Sequence, residues 1–328
     1  MTPPESMPVW LRCRPCGTVL FRGRRRLSTC HRCGATALDA VGIAALIEET
    51  CSTRDEYTAA ELLFHLRFGE DWGCERCGHR QCTHLRSRPR VFECNSCGTP
   101  TSVTSGTSLH RCRLPLGVVL RAAHLLSGSS RSISSRALAR TLGVGLETAW
   151  TLAHRLRTGF REALGPRLGP DVVLSPVNVR SRPPWRKRQV GLFSVAALRV
   201  LWDQSHQVVV ITGKTDPSGL RRFVDRHSDV ERPFCGPYLL PDSPWVAVNR
   251  THRGVSERWL PLYAHAMAGW HNARTRGEPA TVATLRSALR SGHHPFRRLR
   301  PRAPPGPHFR WEPSFEELED HYEAWKKC

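Results

Sequence analysis

The sequence predicts a multidomain α+β protein, and three observations carry that expectation. Eight of the 13 cysteines fall into four Cys-x-x-Cys pairs, all within the first hundred residues. Residues 134–157 hold two helical patterns separated by Gly143-Val144-Gly145. Beyond Pro166, β-rich runs at residues 172–179, 189–198 and 207–212 give way to helical segments, the pattern of an α/β domain. At 328 residues the chain has room for two or three domains of ~100–200 residues each.

Six segments follow in order. Residues 8–36 carry Cys13, Cys16, Cys30 and Cys33 among arginines. Residues 38–72 read as helix, with Ala40, Ile43, Leu46 and Ile47 on one face and Ala60, Leu62, Leu63 and Leu66 on another. Residues 38–84 contain nine acids and four arginines, so this piece is expected to act as scaffold. Residues 73–110 hold the second cysteine module, and 114–165 the helical pair. Pro166, Gly169 and Pro170 mark the entry to an α/β domain over 170–296. In the final segment, 297–328, a Pro- and Arg-rich arm precedes an acidic amphipathic helix at 315–325.

Lys and Arg number 49 against 28 acids, a net charge of +21, which favours a polyanionic partner. Nucleic acid is the leading class, although the bias toward Arg over Lys can also reflect genome composition. From Arg86 to Arg167 the balance is thirteen Arg to three Glu, so the DNA-facing surface is expected there. No apolar run approaches the ~18 residues of a membrane span, and the first residues lack an export pattern. The expected location is the cytoplasm, in association with the nucleoid. That compartment is reducing and disfavours structural disulfides.

Cys74-x2-Cys77, sixteen residues, then Cys94-x2-Cys97 is the spacing of a zinc ribbon, in which a hairpin brings two knuckles around one tetrahedral ion. Gly78 and Gly98 follow the second cysteine of each pair, where the knuckle needs a positive φ. Four thiolates close the coordination shell, so this zinc is structural. Cys13-x2-Cys16, thirteen residues, then Cys30-x2-Cys33 is a shorter version with Gly17 and Gly34 in the same places, giving two expected Zn2+ sites. His79, Cys82 and His84 inside the second module are alternative ligands of lower weight. Cys51, Cys112, Cys235 and Cys328 are expected to be ordinary thiols.

In the helical pair, small Ala139 suits close helix contact and Gly143 suits a turn residue with positive φ. Leu138, Leu142, Val144, Ala149, Leu152 and Leu156 form the expected shared core. Glu147, Thr148, Thr151, His154 and Arg155 are then expected on the exposed face of a recognition helix, with Arg157 beside them as a further DNA contact. An ordinary core hairpin is the competing reading.

These residues resemble the N-terminal half of bacterial insertion-sequence transposases of the ISXO-like group. The matching stretches run from Leu66-Arg67-Phe68 through Trp72-Gly73-Cys74-x2-Cys77-Gly78, Phe92-x-Cys94-x2-Cys97 and Ser102-Val103-Thr104-Ser105-Gly106-Thr107. They continue with Pro115-Leu116, Ile133-Ser134, Leu142-Gly143-Val144, Thr148-Ala149-Trp150 and His154-Arg155-Leu156-Arg157. Further on, Gly254-Val255-Ser256-x2-Trp259-Leu260-x2-Tyr263 and Trp270-His271-Asn272-x-Arg274 resemble the helix that closes the group's RNase H-like domain. The first cysteine module lies outside the resemblance.

The resemblance implies a DDE site, three carboxylates holding two Mg2+ ions for strand transfer. This chain departs from it. The first position falls on Ser175, followed by Pro176, the second near Pro233, and too few residues precede Gly254 for the helix bearing the third. The domain over 170–296 is therefore expected to be a degenerate RNase H-like domain serving as scaffold or oligomerisation surface. No catalytic residue is assigned, and strand-transfer activity is expected to be lost. Asp203, Asp216, Asp225 and Asp242 form a displaced-ligand set for the opposing reading of an active transposase, the one reading that needs Mg2+. A third reading is a zinc-ribbon adaptor for a protein partner. The expected partners are double-stranded DNA and a second copy of the chain.

Overall fold

The computed structural model describes residues 9–15, 19–22, 29, 33–36, 38–42, 45–47, 49–50, 55–69, 71–128, 132–162, 165–182, 194–211, 217–230, 233–235, 245, 250–252, 255–256 and 259–293. The fold is mixed α+β. It divides into two compact units, Met1–His124 with Leu285–His293, and Leu125–Thr284 with His294–Cys328. The helical pair of 134–157 belongs to the same unit as the large sheet.

The first unit opens with an antiparallel sheet of β1 (Val9–Cys13), β2 (Val19–Arg22) and β3 (Leu38–Val41), in the order β2-β1-β3. The expectation of helix throughout 38–72 is corrected at Leu38–Val41. This short apolar run is ambiguous by periodicity, and it pairs with β1 from Trp10↔Val41 to Cys13↔Leu38. Helix α1 (Glu56–Phe68) begins where the Asp55 side chain accepts from the Tyr57 amide at 3.0 Å. It stops at Gly69, whose φ of +60° a side chain would resist. Its residues Ala59, Ala60, Leu62, Leu63, Phe64 and Leu66 are buried, and Phe64 meets the ribbon, whose strands are β4 (Cys82–His84), β5 (Val91–Cys94) and β6 (Pro100–Ser102).

A stack of four rings joins helix to ribbon. Tyr57 lies 3.7 Å from His84, His84 4.2 Å from Phe92, and Phe92 3.9 Å from Phe64 between ring centroids. A polar hub sits beside it. Arg90 donates to Glu56 and to the carbonyls of Cys112 and Leu114, while Glu56 accepts from the Leu116 amide, tying α1 and the ribbon to the start of α2 (Leu116–Ser127). The returning segment closes the unit: Ser108 bonds the Ala288 carbonyl through both its amide and its hydroxyl, and Thr107 bridges Gly292.

The second unit contains α3 (Ser135–Leu142) and α4 (Leu146–Glu162), then β7 (Val173–Arg182), β8 (Ser194–Trp202) and β9 (Val208–Ile211). Next come α5 (Pro217–His227), β10 (Phe234–Cys235), β11 (Val255–Ser256) and α6 (Leu260–Thr275), then α7 (Ala280–Arg290), of which the residues from Leu285 on belong to the first unit. Strands β7, β8 and β9 form an antiparallel meander, and β10 and β11 both add to β7 in parallel. The sheet order is β10-β7-β8-β9. Leu168, Val172, Leu201, Val209 and Val224 form its buried cluster, which places α5 over the sheet.

The stretch around Pro166 is no free linker. The Leu168 amide donates to the His227 carbonyl at 2.7 Å, and the Gly169 amide to the Asp203 carboxylate at 2.7 Å. At the far edge, the Asn272 side chain on α6 accepts from the Val208 amide at 2.8 Å and donates to the Val208 carbonyl at 2.7 Å. The basic arm and the C-terminal helix expected beyond residue 297 lie outside the described residues.

Candidate metal centre and nucleic-acid interface

Two knuckles build the metal centre, each by the same hydrogen bonds. The Gly78 amide donates to the Cys74 carbonyl at 2.8 Å and the Gly98 amide to the Cys94 carbonyl at 3.0 Å, with φ of +72° and +67° at the two glycines. The Cys74 amide then reaches the His79 carbonyl, and the Cys94 amide the Thr99 carbonyl. Each turn thereby points two thiols toward the other.

Cys74 and Cys97 sulfurs are 3.5 Å apart, Cys77 and Cys94 sulfurs 3.6 Å, and all four lie within 4.8 Å of one another. A tetrahedron of sulfurs at 2.3 Å from zinc has edges of about 3.8 Å, whereas a disulfide needs about 2.05 Å. The cluster is thus consistent with a zinc-binding site. The Thr99 hydroxyl, 3.1 Å from the Cys97 sulfur, and then the Thr99 amide push that thiol down to about 6, toward the thiolate that metal binding requires.

Two of the alternative ligands, His84 and Cys82, have other surroundings. His84 is held in the ring stack with its Nε2 2.6 Å from the Pro89 carbonyl. Cys82 pairs across the strands with Cys94, and burial raises its thiol to about 11. Among the described residues, the four cysteines are the group whose ligand atoms converge. In the first module the Cys13 and Cys33 sulfurs approach to 3.5 Å, and Gly34 has a φ of +72°. Cys16 and Cys30 lie outside the described residues.

The helical pair forms as its sequence directs. Ser134 caps α3 through the Ala137 amide, and Gly143, with φ +67° and ψ +33°, ends it in the left-handed conformation. The Val144 amide closes back on the Ala139 carbonyl at 3.1 Å. Leu138, Ala139, Ala149, Leu152 and Leu156 are buried, while Leu142 and Val144 are half-buried. Arg136, Arg140, Glu147 and Thr148 are exposed, and Thr151 and Arg155 half-buried.

His154 and Arg157 do not share that face. Each is only 1% exposed, so the expectation of an exposed His154 and of Arg157 as a surface contact is corrected. The cause is a second buried stripe on α4. Trp150, His154 and Arg157, at i, i+4 and i+7, turn toward α6 and its approach, where Trp259 and Tyr263 meet the His154 ring edge-on at 4.7 and 5.6 Å. Sequence reading assigned α4 one buried face, toward α3. The aromatic residues at Trp150, Trp259 and Tyr263 were the signal for the other.

The two positions that the resemblance marks for carboxylates fall on β7 and just before β10. Ser175 is fully buried on β7, its hydroxyl accepting from the Trp202 indole at 2.8 Å, and buried Pro233 immediately precedes β10, which pairs with β7. A bonded hydroxyl and a proline do not fit a pair of Mg2+ ions, which need carboxylate oxygens. Of the displaced-ligand set, Asp203 is 2% exposed and accepts from the Gly169 and Gln207 amides and the Ser205 hydroxyl, organising the β8–β9 turn. Asp225 pairs with Arg221 one turn earlier on α5. Asp216 and Asp242 lie outside the described residues.

Comparison with protein-family models, with curated proteins and with solved structures gave no match to this chain. No helix among the described residues is long and apolar enough to cross a membrane.

Proposed function

We propose that this chain is a DNA-binding protein of transposase type, in which a zinc ribbon and a helix-turn-helix dock on duplex DNA and strand-transfer chemistry has been lost. The observation that carries the reading is the α3–α4 pair. Its left-handed Gly143 turn sets a second helix whose open side presents Thr148, Thr151 and Arg155, with exposed Arg136 and Arg140 on the first helix. This is the arrangement in which one helix enters a major groove and its partner meets the backbone. The charge of +21 supplies the attraction.

The ribbon cluster supports the same reading, with the first cysteine module as a second Zn2+ site. An antiparallel meander followed by a helix and then a strand parallel to the first strand suits an RNase H-like domain. Ser175 on β7 and Pro233 just before β10 supply none of the required carboxylates, which favours a scaffold over an enzyme.

The test is binding-site selection from random duplex DNA, followed by affinity measurement over a salt series. Thr151→Ala and Arg155→Ala each weaken the selected site by about 1–3 kcal/mol and relax its sequence preference. Arg136→Ala and Arg140→Ala weaken all duplexes alike and lower the salt slope by about 1 each. Arg221→Ala on α5 leaves binding unchanged. Salt-independent binding would leave the adaptor reading in its place. Metal-dependent nicking of the selected site, abolished by Asp216→Asn or Asp242→Asn, would establish the displaced-ligand transposase.

A further inference from the structure

The ribbon contains a fifth thiol beside its four-cysteine cluster. Cys82 on β4 lies directly opposite Cys94 on β5, so the two side chains leave the same face of the hairpin. The pair is also the closer of the two kinds that an antiparallel ladder offers. The Leu85 amide donates to the Val91 carbonyl and the Asn95 amide to the Gln81 carbonyl, both at 3.1 Å, which marks 85↔91 and 81↔95 as hydrogen-bonded positions. Alternation along the ladder then makes Cys82↔Cys94 a non-hydrogen-bonded pair, where Cα atoms stand about 4.5 Å apart and side chains approach most nearly. A disulfide spans Cα separations of about 4.4–6.8 Å, so the backbone is already placed for one. Cys82 is half-buried, which leaves this flank of the hairpin open to a small oxidant, and Cys94 is 2% exposed.

Metal binding sets this thiol apart from the other four. The sulfurs of Cys74, Cys77, Cys94 and Cys97 lie within 4.8 Å of one another and would all be engaged by one ion, whereas Cys82 is outside that set. We propose that Cys82 is the resolving thiol of a peroxide-sensitive switch, in which oxidation joins it to Cys94 and the ribbon gives up its zinc. The reaction balances with hydrogen peroxide as the oxidant. The Cys94 thiolate attacks the O–O bond, keeps one oxygen as a sulfenic acid and releases hydroxide, which solvent protonates. The Cys82 sulfur then attacks the sulfenic sulfur: the S–S bond forms, the S–O bond breaks, and the departing hydroxide leaves as water with the Cys82 proton. Two electrons pass from the two sulfurs to the peroxide, which ends as two waters. Three thiolates remain, too few for the closed shell of a structural site, and the contribution of metal binding to the folded ribbon is lost. Such disulfides occur in reducing compartments as transient sensors. The switch needs zinc in the cluster, but it does not need DNA.

The experiment uses the full-length, zinc-loaded protein. Hydrogen peroxide is added, free thiols are blocked at intervals with an alkylating reagent, disulfides are located by peptide mass spectrometry, and released zinc is read with a chromogenic chelator. In the wild type, Cys82–Cys94 is the first disulfide of the ribbon to form, zinc release follows it, and dithiothreitol restores both the thiols and zinc binding. Cys82→Ser keeps the four ligands and binds zinc as the wild type does. Without a resolving thiol, however, its Cys94 passes on to sulfinic acid, and the fraction of zinc rebound after reduction falls about threefold or more. Cys112→Ser, which removes a buried cysteine of the same unit outside the cluster, behaves as the wild type. The switch is overturned if the first disulfide joins two of the four ligands, such as Cys77 with Cys94, or if zinc leaves while Cys82 can still be alkylated. Full recovery of Cys82→Ser after reduction overturns it too. So does a ribbon that holds no zinc at the start, a result that leaves DNA binding, measured separately, untouched.

Discussion

Gly269→Ala tests whether α4 is fused to the sheet-bearing unit. Gly269 lies on α6 where the ring of Phe160, near the end of α4, presses against the helix. A methyl group at position 269 would stand 2.9 Å from the Phe160 Cγ and closer still to Cδ1 and Cε1, inside the 3.5–4.0 Å of ordinary carbon contact. The ring cannot simply turn aside, since it is 9% exposed and packs edge-on to Trp270 at 6.3 Å. Two effects oppose each other. Exchanging Gly for Ala inside a helix contributes about 1 kcal/mol, and overpacking of this kind costs about 1–3 kcal/mol. Because the intruding atom meets a ring held on several sides, the upper part of the second range applies, and the net loss is about 1–2 kcal/mol. For a unit of this size that lowers Tm by about 2–8 °C. Thermal and urea unfolding measure it, and Phe160→Leu in the same chain should recover about 1 kcal/mol or more relative to the sum of the single changes. Additive single and double variants, or a Gly269→Ala protein more stable than the wild type, would refute the fused α4–α6 packing.

Metal analysis should return two Zn2+ per chain, falling to one in Cys74→Ser; a single equivalent in the wild type would remove the first module from the account. Burial, and then the charge of Arg157, holds the His154 imidazole down at about 3, so the folded protein keeps it neutral while the unfolded chain takes up a proton below about 6.5. Its contribution is therefore complete above pH 6.5 and is lost as pH falls toward 3, by up to about 1.4 kcal/mol per pH unit, and His154→Gln should flatten unfolding curves taken between pH 7 and 5. His65, held at about 4 mainly by burial, contributes in the same direction in the other unit. Asp203→Asn replaces one of the two accepting oxygens, which serve the Gly169 amide and the Gln207 amide with the Ser205 hydroxyl, by a donor and should cost about 1–3 kcal/mol in urea unfolding without altering DNA affinity.

The sequence was most informative where local chemistry alone decides the structure. Cysteine spacing located the 74/77/94/97 cluster because a knuckle is a single turn whose glycine must take a positive φ. The Ser134 cap and the Gly143 stop were legible for the same reason, and so were the three strands of the meander. What escaped was non-local. Leu38–Val41 became a strand because β1 offered it an edge, a fact absent from its own pattern. His154 and Arg157 were read as exposed because a helix wheel reveals an apolar stripe, whereas the second stripe of α4 is built from indoles, an imidazole and a guanidinium whose partners lie about a hundred residues away. The break at Pro166 marked a change of pattern, but Asp203 and His227 pin that stretch within one unit.

The amide of Asn272, seated on both the N–H and the C=O of Val208, has a consequence for how the molecule behaves in company. An outermost strand with bare backbone groups is a template on which another chain can lay itself down, and Val208, Val209 and Val210 form an apolar run well suited to such growth. One side chain fills the role of the absent neighbour and ends the sheet at β9. Strand addition is blocked at Val208, and Asn272→Leu, which leaves that N–H and C=O bare, should raise light scattering relative to the wild type.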